Sequence, residues 1–274
     1  MTSITLTEIH VYPVKSLSGI QVNHWPVNKN GLLYDRKWML IDINRQFLSQ
    51  RTTPRMTLIK TALTNEHLIL STPGMADLIL PLHPSGGEVI DSTIWHDQCA
   101  ARSTSIDADK WLSHFLGIEC RLVYQPEDLI RPVNPDFSNP SDQVSFADGF
   151  PFLLVSQESL NALNHEMQLN LPMIRFRPNL VVSGCISYEE DTWRKISIGN
   201  IGFRLTKPCA RCLVPTIDPE TATTGKEPLT TLNRTRKWQN KIYFGQNALH
   251  DQIGELSVGD IIQIHTSGSN QPPL

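Results

Sequence analysis

The chain contains no run of about 20 apolar residues, so nothing in it reads as a membrane-spanning helix. Its opening, Met1 to Glu8, has no basic cluster leading into an apolar stretch, and no secretory signal is expected. Neither G-x-x-x-x-G-K-S/T nor G-x-G-x-x-G occurs, which removes the usual sequence case for nucleotide binding. Net charge is small, −3 at pH 7, so no global field draws the chain to nucleic acid or an anionic membrane. Cysteine is sparse as well. The 5 cysteines are odd in number and scattered except for one pair, which argues against a secreted disulfide framework and for a reducing compartment. The expectation is a cytoplasmic protein with no nucleic-acid or membrane partner.

What is present suits a globular protein with a real core: 40% hydrophobic and 19% charged residues over 274 positions, enough for one large or two ordinary domains. Short apolar-alternating segments dominate. Ile4, Leu6, Ile9 and Val11 change phase near Glu8, which predicts a strand with a bulge. Further strands are predicted at Val22 to Val27, Lys37 to Ile43, Thr57 to Leu63, His67 to Ser71, Leu78 to Leu82, Glu88 to Trp95 and Cys120 to Tyr124. Asp107 to Leu116 reads as a helix stopped by Gly117. Gln125 to Ser145 is polar and proline-rich, a linker or a binding loop, and the domain boundary is placed there, giving units 1–125 and 126–268. Beyond it come a strand at Pro151 to Val155, a helix capped by Ser156, and a hairpin turning at Gly199-Asn200. A closing strand follows near Leu256 to Ile264, and Ser267 to Leu274 is expected to fray. The fold class is mainly β, of α+β type: two β-barrel-like domains with a few short helices.

Several residues carry possible chemistry. Cys209 and Cys212 stand three apart, beside Lys207 and Arg211, and nearby cations favour the thiolate that is reactive and binds metals. Flanking prolines place the pair on a fixed loop between strands. By spacing alone it is a pair of buried thiols, a redox pair or half a zinc site. Lys15 and Ser16 fall on a strand-to-loop corner, where a solvated turn is the ordinary reading. Arg36, Arg51 and Arg55 recur near strand ends; each offers a planar fork for phosphate or carboxylate, or a surface ion pair. Arg177 and Asn179, two apart, point to one side if the chain is extended there, as a ligand-binding pair or an edge-strand ion pair.

Taken in order, Tyr12-Pro13-Val14-Lys15-Ser16, Asp35-Arg36-Lys37-Trp38, Phe176-Arg177-Pro178-Asn179-Leu180-Val181, Glu190-Asp191-Thr192-Trp193 and Cys209-Ala210-Arg211-Cys212 with Thr216-Ile217-Asp218-Pro219 span nearly the whole chain. Together they resemble the MOSC-domain family with its N-terminal β-barrel partner domain. That resemblance implies a molybdenum-pyranopterin cofactor and two-electron reduction of N-hydroxylated compounds. It implies Cys212 as metal ligand and catalytic centre, and Lys15, Ser16, Arg36, Asp148, Arg177, Asn179 and Arg211 as further cofactor contacts. Cys209 is then a packing or tuning neighbour. Some members carry a C-terminal ferredoxin domain; no cysteine follows Cys212 in this sequence, so electrons are expected from a separate ferredoxin-like or flavin reductase partner, or else the sequence is a piece of a longer chain. A carrier of the cofactor or of sulfur, without turnover, is the alternative, and a structural zinc protein a third.

Overall fold

The computed structural model describes residues 3–273. The first two residues of the N-terminal reading, Met1 and Thr2, and Leu274 of the expected frayed tail lie outside the described residues. Strands dominate, and the described residues form three α-helices: α1 (Ile106–Leu116), α2 (Gln157–Met167) and α3 (Leu229–Thr235). The mainly β expectation with few short helices describes this architecture. Ser105 caps α1 by accepting from the Ala108 N–H, and Gly117 ends it in the left-handed region at φ 70°, where a side chain would be strained. Ser156 caps α2 in the same way through the Ser159 N–H, and Leu160 and Leu163 are buried at helical spacing.

The largest sheet runs Ile262–Ser267, Trp193–Ile198, Ile201–Ala210, Lys241–His250, Phe152–Ser156, Leu180–Ser183, Thr5–Val11, Ile20–Val22, with Lys237–Trp238 paired onto Lys241–His250. Its register slips between Leu6 and Glu8 against Leu180–Ser183, at the bulge the phase change predicted. A four-stranded sheet joins Trp38–Ile41, Arg121–Tyr124, Asp97–Ser103 and Val89–Ile94. Smaller sheets combine Gly254–Ser257 with His24–Asn28 and Gly31–Leu32, and Lys60–Leu63 with His67–Ser71 and Leu78–Pro81. The 125/126 division falls in the coil after Arg121–Tyr124, yet strands before it pair with strands after it in two of these sheets. The apolar cores follow the sheets. One fills the large sheet around Leu6, Phe152, Trp193 and Phe203, another lies around Trp38, Leu68 and Leu112, and a third packs α2 and α3 around Phe176 and Phe244. Burying each such side chain is worth roughly 1.5–3 kcal/mol.

Five local expectations are corrected. Residues 54–58 form a 3₁₀ turn begun by Pro54, and the strand starts only at Lys60. Asp97–Ser103, whose inward positions hold only Cys99 and Ala101, is a strand that small side chains concealed. Arg177 is not extended; it closes a 3₁₀ turn at φ 54°, and the strand begins at Leu180. Cys209 lies within Ile201–Ala210, so the cysteine pair straddles a strand end rather than occupying a loop. The tail through Pro273 is docked: the Gln271 N–H donates to Asp191 O, Gln246 Nε2 to Gln271 O, and Pro272 is buried.

Candidate functional site

A dense assembly of charge lies where the first strand, the Trp38–Ile41 corner and the end of Ile201–Ala210 converge. Tyr12 ends the first strand's apolar run and is fully buried. Its backbone N–H donates to Asp35 Oδ1 at 2.8 Å, and its carbonyl accepts from the Arg36 N–H at 2.7 Å. The guanidinium carbons of Arg36 and Arg177 each lie 4.2 Å from the Tyr12 ring centroid. An aromatic face attracts cations, so one ring holds two positive side chains that would otherwise repel. Burial raises the Tyr12 phenol above its usual value against the pull of both arginines, so it stays neutral. Burial foremost, with Arg36 nearby, brings Arg177 down to about 10, which leaves it cationic at neutral pH.

Lys15 sits in the turn after the first strand and is buried; its Nζ donates to Phe146 O at 2.8 Å and to Asp148 Oδ1 at 2.5 Å. Burial lowers the Lys15 ammonium, and Asp148 opposes that. Packing around Asp148 pushes its carboxyl upward, but Lys15, with Arg51 and Trp95, outweighs this and holds it below the usual carboxylate range. Trp95 Nε1 donates to the same oxygen at 3.2 Å, and the Arg51 guanidinium stacks 4.0 Å from the Trp95 ring. The segment carrying Asp148 is fixed from beneath by buried Arg131. That side chain donates to the carbonyls of Ser145 and Ala147 and to Asp97. Ser145 Oγ donates to Asp35 O at 2.6 Å, so the polar 125–145 segment is strapped to the Asp35–Arg36 corner.

All eight residues singled out from the sequence line one cleft of about 160 Å³: Lys15, Ser16, Arg36, Asp148, Arg177, Asn179, Arg211 and Cys212. One water needs about 10–15 Å³, so this space is built for something larger. The residues do not play equal parts. Asn179 is spent on the fold: its Oδ1 accepts from Arg36 and Leu153, and its Nδ2 donates to His10 O. It positions Arg36 rather than offering its amide outward. Arg211 donates to Phe176 O at 2.7 Å and to Cys209 Sγ at 3.2 Å. Cys209 packs against the Phe176 cluster, and burial raises its thiol despite Arg211. Cys212 is half-buried and has no hydrogen-bond partner among the described residues. Arg51, noted as a fork but not assigned to the site, lines the cleft with Trp95, Gln50 and Asn247, while Arg55 stands apart on Phe115. Trp95 and Gln50 gave no sequence signal, because an aromatic and an amide on separate loops have no periodicity.

A structural zinc site needs about four ligands. Among the described residues no group of three or more His, Cys, Asp or Glu is placed to hold a metal ion. The cleft therefore offers one thiol without a hydrogen-bond partner, Cys212, and five cationic side chains against a single carboxylate at its mouth, Asp148, with Asp35 buried beneath Arg36. Guanidinium and ammonium groups gathered in this way suit an anion, and a thiolate suits a soft metal. No helix among the described residues is long and apolar enough to cross a membrane.

Comparison with known proteins agrees with the order of these motifs. Residues 3–119 match the MOSC N-terminal beta barrel domain, and residues 141–263 match the MOSC domain. The chain is 32% identical to mitochondrial amidoxime-reducing component 1 of Mus musculus, over 95% of this chain and 82% of that protein. It is 33% identical to mitochondrial amidoxime reducing component 2 of Homo sapiens, over 93% and 82%. It is also 33% identical to the molybdenum cofactor sulfurase of Danio rerio, covering 94% of this chain but only 34% of that longer protein. The chain belongs to the MOSC-domain family and carries both the N-terminal β-barrel domain and the MOSC domain.

Proposed function

We propose that this chain is a molybdenum-cofactor-dependent reductase of N-hydroxylated compounds, with the Cys212 thiolate as the protein's ligand to the metal. One observation carries the reading: a partnerless thiol opens onto a cleft lined by Lys15, Arg36, Arg51, Arg177 and Arg211. The residues fit the group. Arg211 Nε is buried without a partner, and Arg177 gives only Nη1, to Leu17 O, so donors remain unspent on the cleft wall. Phosphate accepts such forks, and a soft thiolate suits the metal.

When bound, the cofactor supplies the two-electron redox chemistry. The chain's own residues do the rest. The arginines and Lys15 bind the anionic pterin phosphate. Tyr12 holds Arg36 and Arg177 at fixed distance. Asp148, ionised at neutral pH, keeps Lys15 in place and accepts hydrogen bonds at the cleft mouth. The net reaction takes R–NH–OH, two electrons and two protons to R–NH2 and water. The electrons come from a separate ferredoxin-like or flavin reductase protein. With five free thiols in the fold, the setting is a reducing one, and on this reading cytoplasmic.

The test is metal analysis of protein made in a cofactor-producing host, with turnover of hydroxylamine and benzamidoxime by a chemical reductant. Near-stoichiometric molybdenum with turnover is expected. Molybdenum without turnover supports the carrier alternative, and zinc in its place contradicts both.

A further inference from the structure

Ser16 is the third residue of the turn that follows the first strand, in which the Leu17 N–H donates to Val14 O at 3.1 Å. Its φ is 68°, while Lys15 before it stays out of the left-handed region. That is the type II arrangement, whose third position normally takes glycine. A serine held there is strained, and such strain persists only where neighbours fix the chain. Arg36, Trp95 and Arg177, at φ 47°, 58° and 54°, share this backbone region, so the strain gathers around the cleft that all four residues line.

The backbone around Ser16 has one polar group left over. The N–H groups of Lys15, Leu17 and Ser18 are spent on Trp38 O, Val14 O and Ile59 O. Two carbonyls are held by side chains: Gln50 Nε2 donates to Ser16 O at 2.7 Å, and Arg177 Nη1 donates to Leu17 O at 2.7 Å. The Ser16 N–H has no partner among the described residues. A backbone donor shut away from both protein and solvent is rare, so this one faces open space, and the space that Ser16 lines is the cleft. Gln50 is 3% exposed and reaches Ser16 from the cleft wall.

We infer that Gln50 is a positioning residue for anion binding: it holds Ser16 in the left-handed region, and the Ser16 N–H thereby serves as a backbone donor to a tetrahedral oxyanion in the cleft. Without that hydrogen bond, Ser16 relaxes to the negative φ that an L residue prefers. The Lys15–Ser16 peptide then turns over and presents Lys15 O, an acceptor that repels an anion, where the N–H stood. Turn N–H groups of this kind build anion-binding concavities, and a bond from an N–H to an anion is stronger than one between neutral groups. The Arg177 guanidinium, tied to the next carbonyl along, brings positive charge to the same turn. Occupancy by the pterin phosphate rests on the reductase reading above; the backbone donor itself does not.

The experiment titrates the cofactor-free full chain, labelled with nitrogen-15, with sulfate. In the wild type the Ser16 amide proton should move downfield with the same dissociation constant as the Arg177 Nε signal. Gln50→Met matches the side chain in size but cannot donate. There the Ser16 response should vanish and sulfate should bind about tenfold more weakly, while the Arg177 signal still moves. Gln50→Asn, an amide one methylene shorter, should behave in the same way, and it decides the matter if Gln50→Met does not fold. A Ser16 amide that ignores sulfate in the wild type, or follows it unchanged in a folded Gln50 variant, overturns the inference. So does loss of the Ser16 and Arg177 responses together, because that assigns Gln50 to holding up the cleft wall as a whole. Molybdenum content separates the two claims. Gln50→Met from a cofactor-producing host should carry less molybdenum than the wild type. No molybdenum in either, with the sulfate result intact, sinks the reductase reading and leaves the backbone donor standing.

Discussion

Arg36 donates to the Asp35 carboxylate at 2.5 Å, and that carboxylate is only 2% exposed. The guanidinium therefore neutralises a buried acid while it borders the cleft. Burial raises the Asp35 carboxyl, and Arg36 is the chief influence holding it down. Arg36→Ala strands that acid, and breaking a buried pair from one side costs about 3–5 kcal/mol. The cofactor-free variant should show a clear loss of thermal stability. Arg51→Gln should not. Arg51 reaches Asp148 only at 4.0 Å and is otherwise stacked on Trp95, an arrangement worth about 1 kcal/mol or less. It should lower cofactor occupancy while the melting temperature of the cofactor-free protein stays nearly constant. Equal thermal losses in the two variants would contradict this division of roles.

Tyr12 and Gly19 are matched in shape. A Cβ at Gly19 would lie 2.5 Å from Tyr12 Cε1, so the ring occupies the space a side chain would need. Gly19→Ala forces the ring to move, and overpacking of this kind costs about 1–3 kcal/mol. Because Arg36 and Arg177 both rest on that ring, the displacement should also scatter the anion site. Phosphate affinity of the cofactor-free protein, measured by calorimetry, should fall in Gly19→Ala and in Tyr12→Leu but hold in Tyr12→Phe, which keeps the ring. A fall in Tyr12→Phe as large as in Tyr12→Leu would assign the effect to the phenol instead.

Asp148 makes stability depend on acid. Its carboxyl, pulled down by Lys15, titrates in the folded protein below its ordinary value of about 3.9. A depressed folded-state value gives stability that is present above the unfolded value and lost as pH falls through the folded one. Melting temperature should therefore drop below about pH 4 in the wild type, and the profile of Asp148→Asn should be flatter in that window. Parallel profiles would show that the 2.5 Å contact with Lys15 contributes nothing to folding.

Turnover should need a second protein. The 5 cysteines include no ferredoxin-type set, and no dinucleotide fingerprint occurs. Activity is expected with a strong artificial reductant and almost none with NADH or NADPH alone, restored by a ferredoxin-like or flavin reductase partner. Robust NADH-driven turnover by the single chain would show a redox group that this account lacks.

The sequence was legible where a residue's local chemistry and its tertiary role coincide. The phase change at Glu8 marks a real bulge, Ser156 a real cap and Gly199-Asn200 a real hairpin turn, since each is decided within a few residues. The cleft residues were legible as ordered motifs, although spacing alone left Lys15 a solvated turn and the structure buries it. Arg177 is not extended, because the 3₁₀ turn that it closes is set by the burial of Met173 and Phe176, which no local spacing announces. Arg131 looked like one more charge in a polar linker. Only the folded chain brings the carbonyls of Ser145 and Ala147 and the Asp97 carboxylate around it. The docked tail was hidden for the same reason, because its partners Asp191 and Gln246 lie far back in the chain.

The central claim is that Cys212 alone supplies the protein's sulfur to the metal, while Cys209 is held by Arg211 at 3.2 Å and packed against the core. X-ray absorption at the molybdenum edge reads this directly on wild type, Cys209→Ser and Cys212→Ser. The account predicts one sulfur scatterer fewer in Cys212→Ser, with activity lost, and an unchanged sulfur shell in Cys209→Ser, with much of the activity kept. An intact shell in Cys212→Ser together with a depleted one in Cys209→Ser would contradict it.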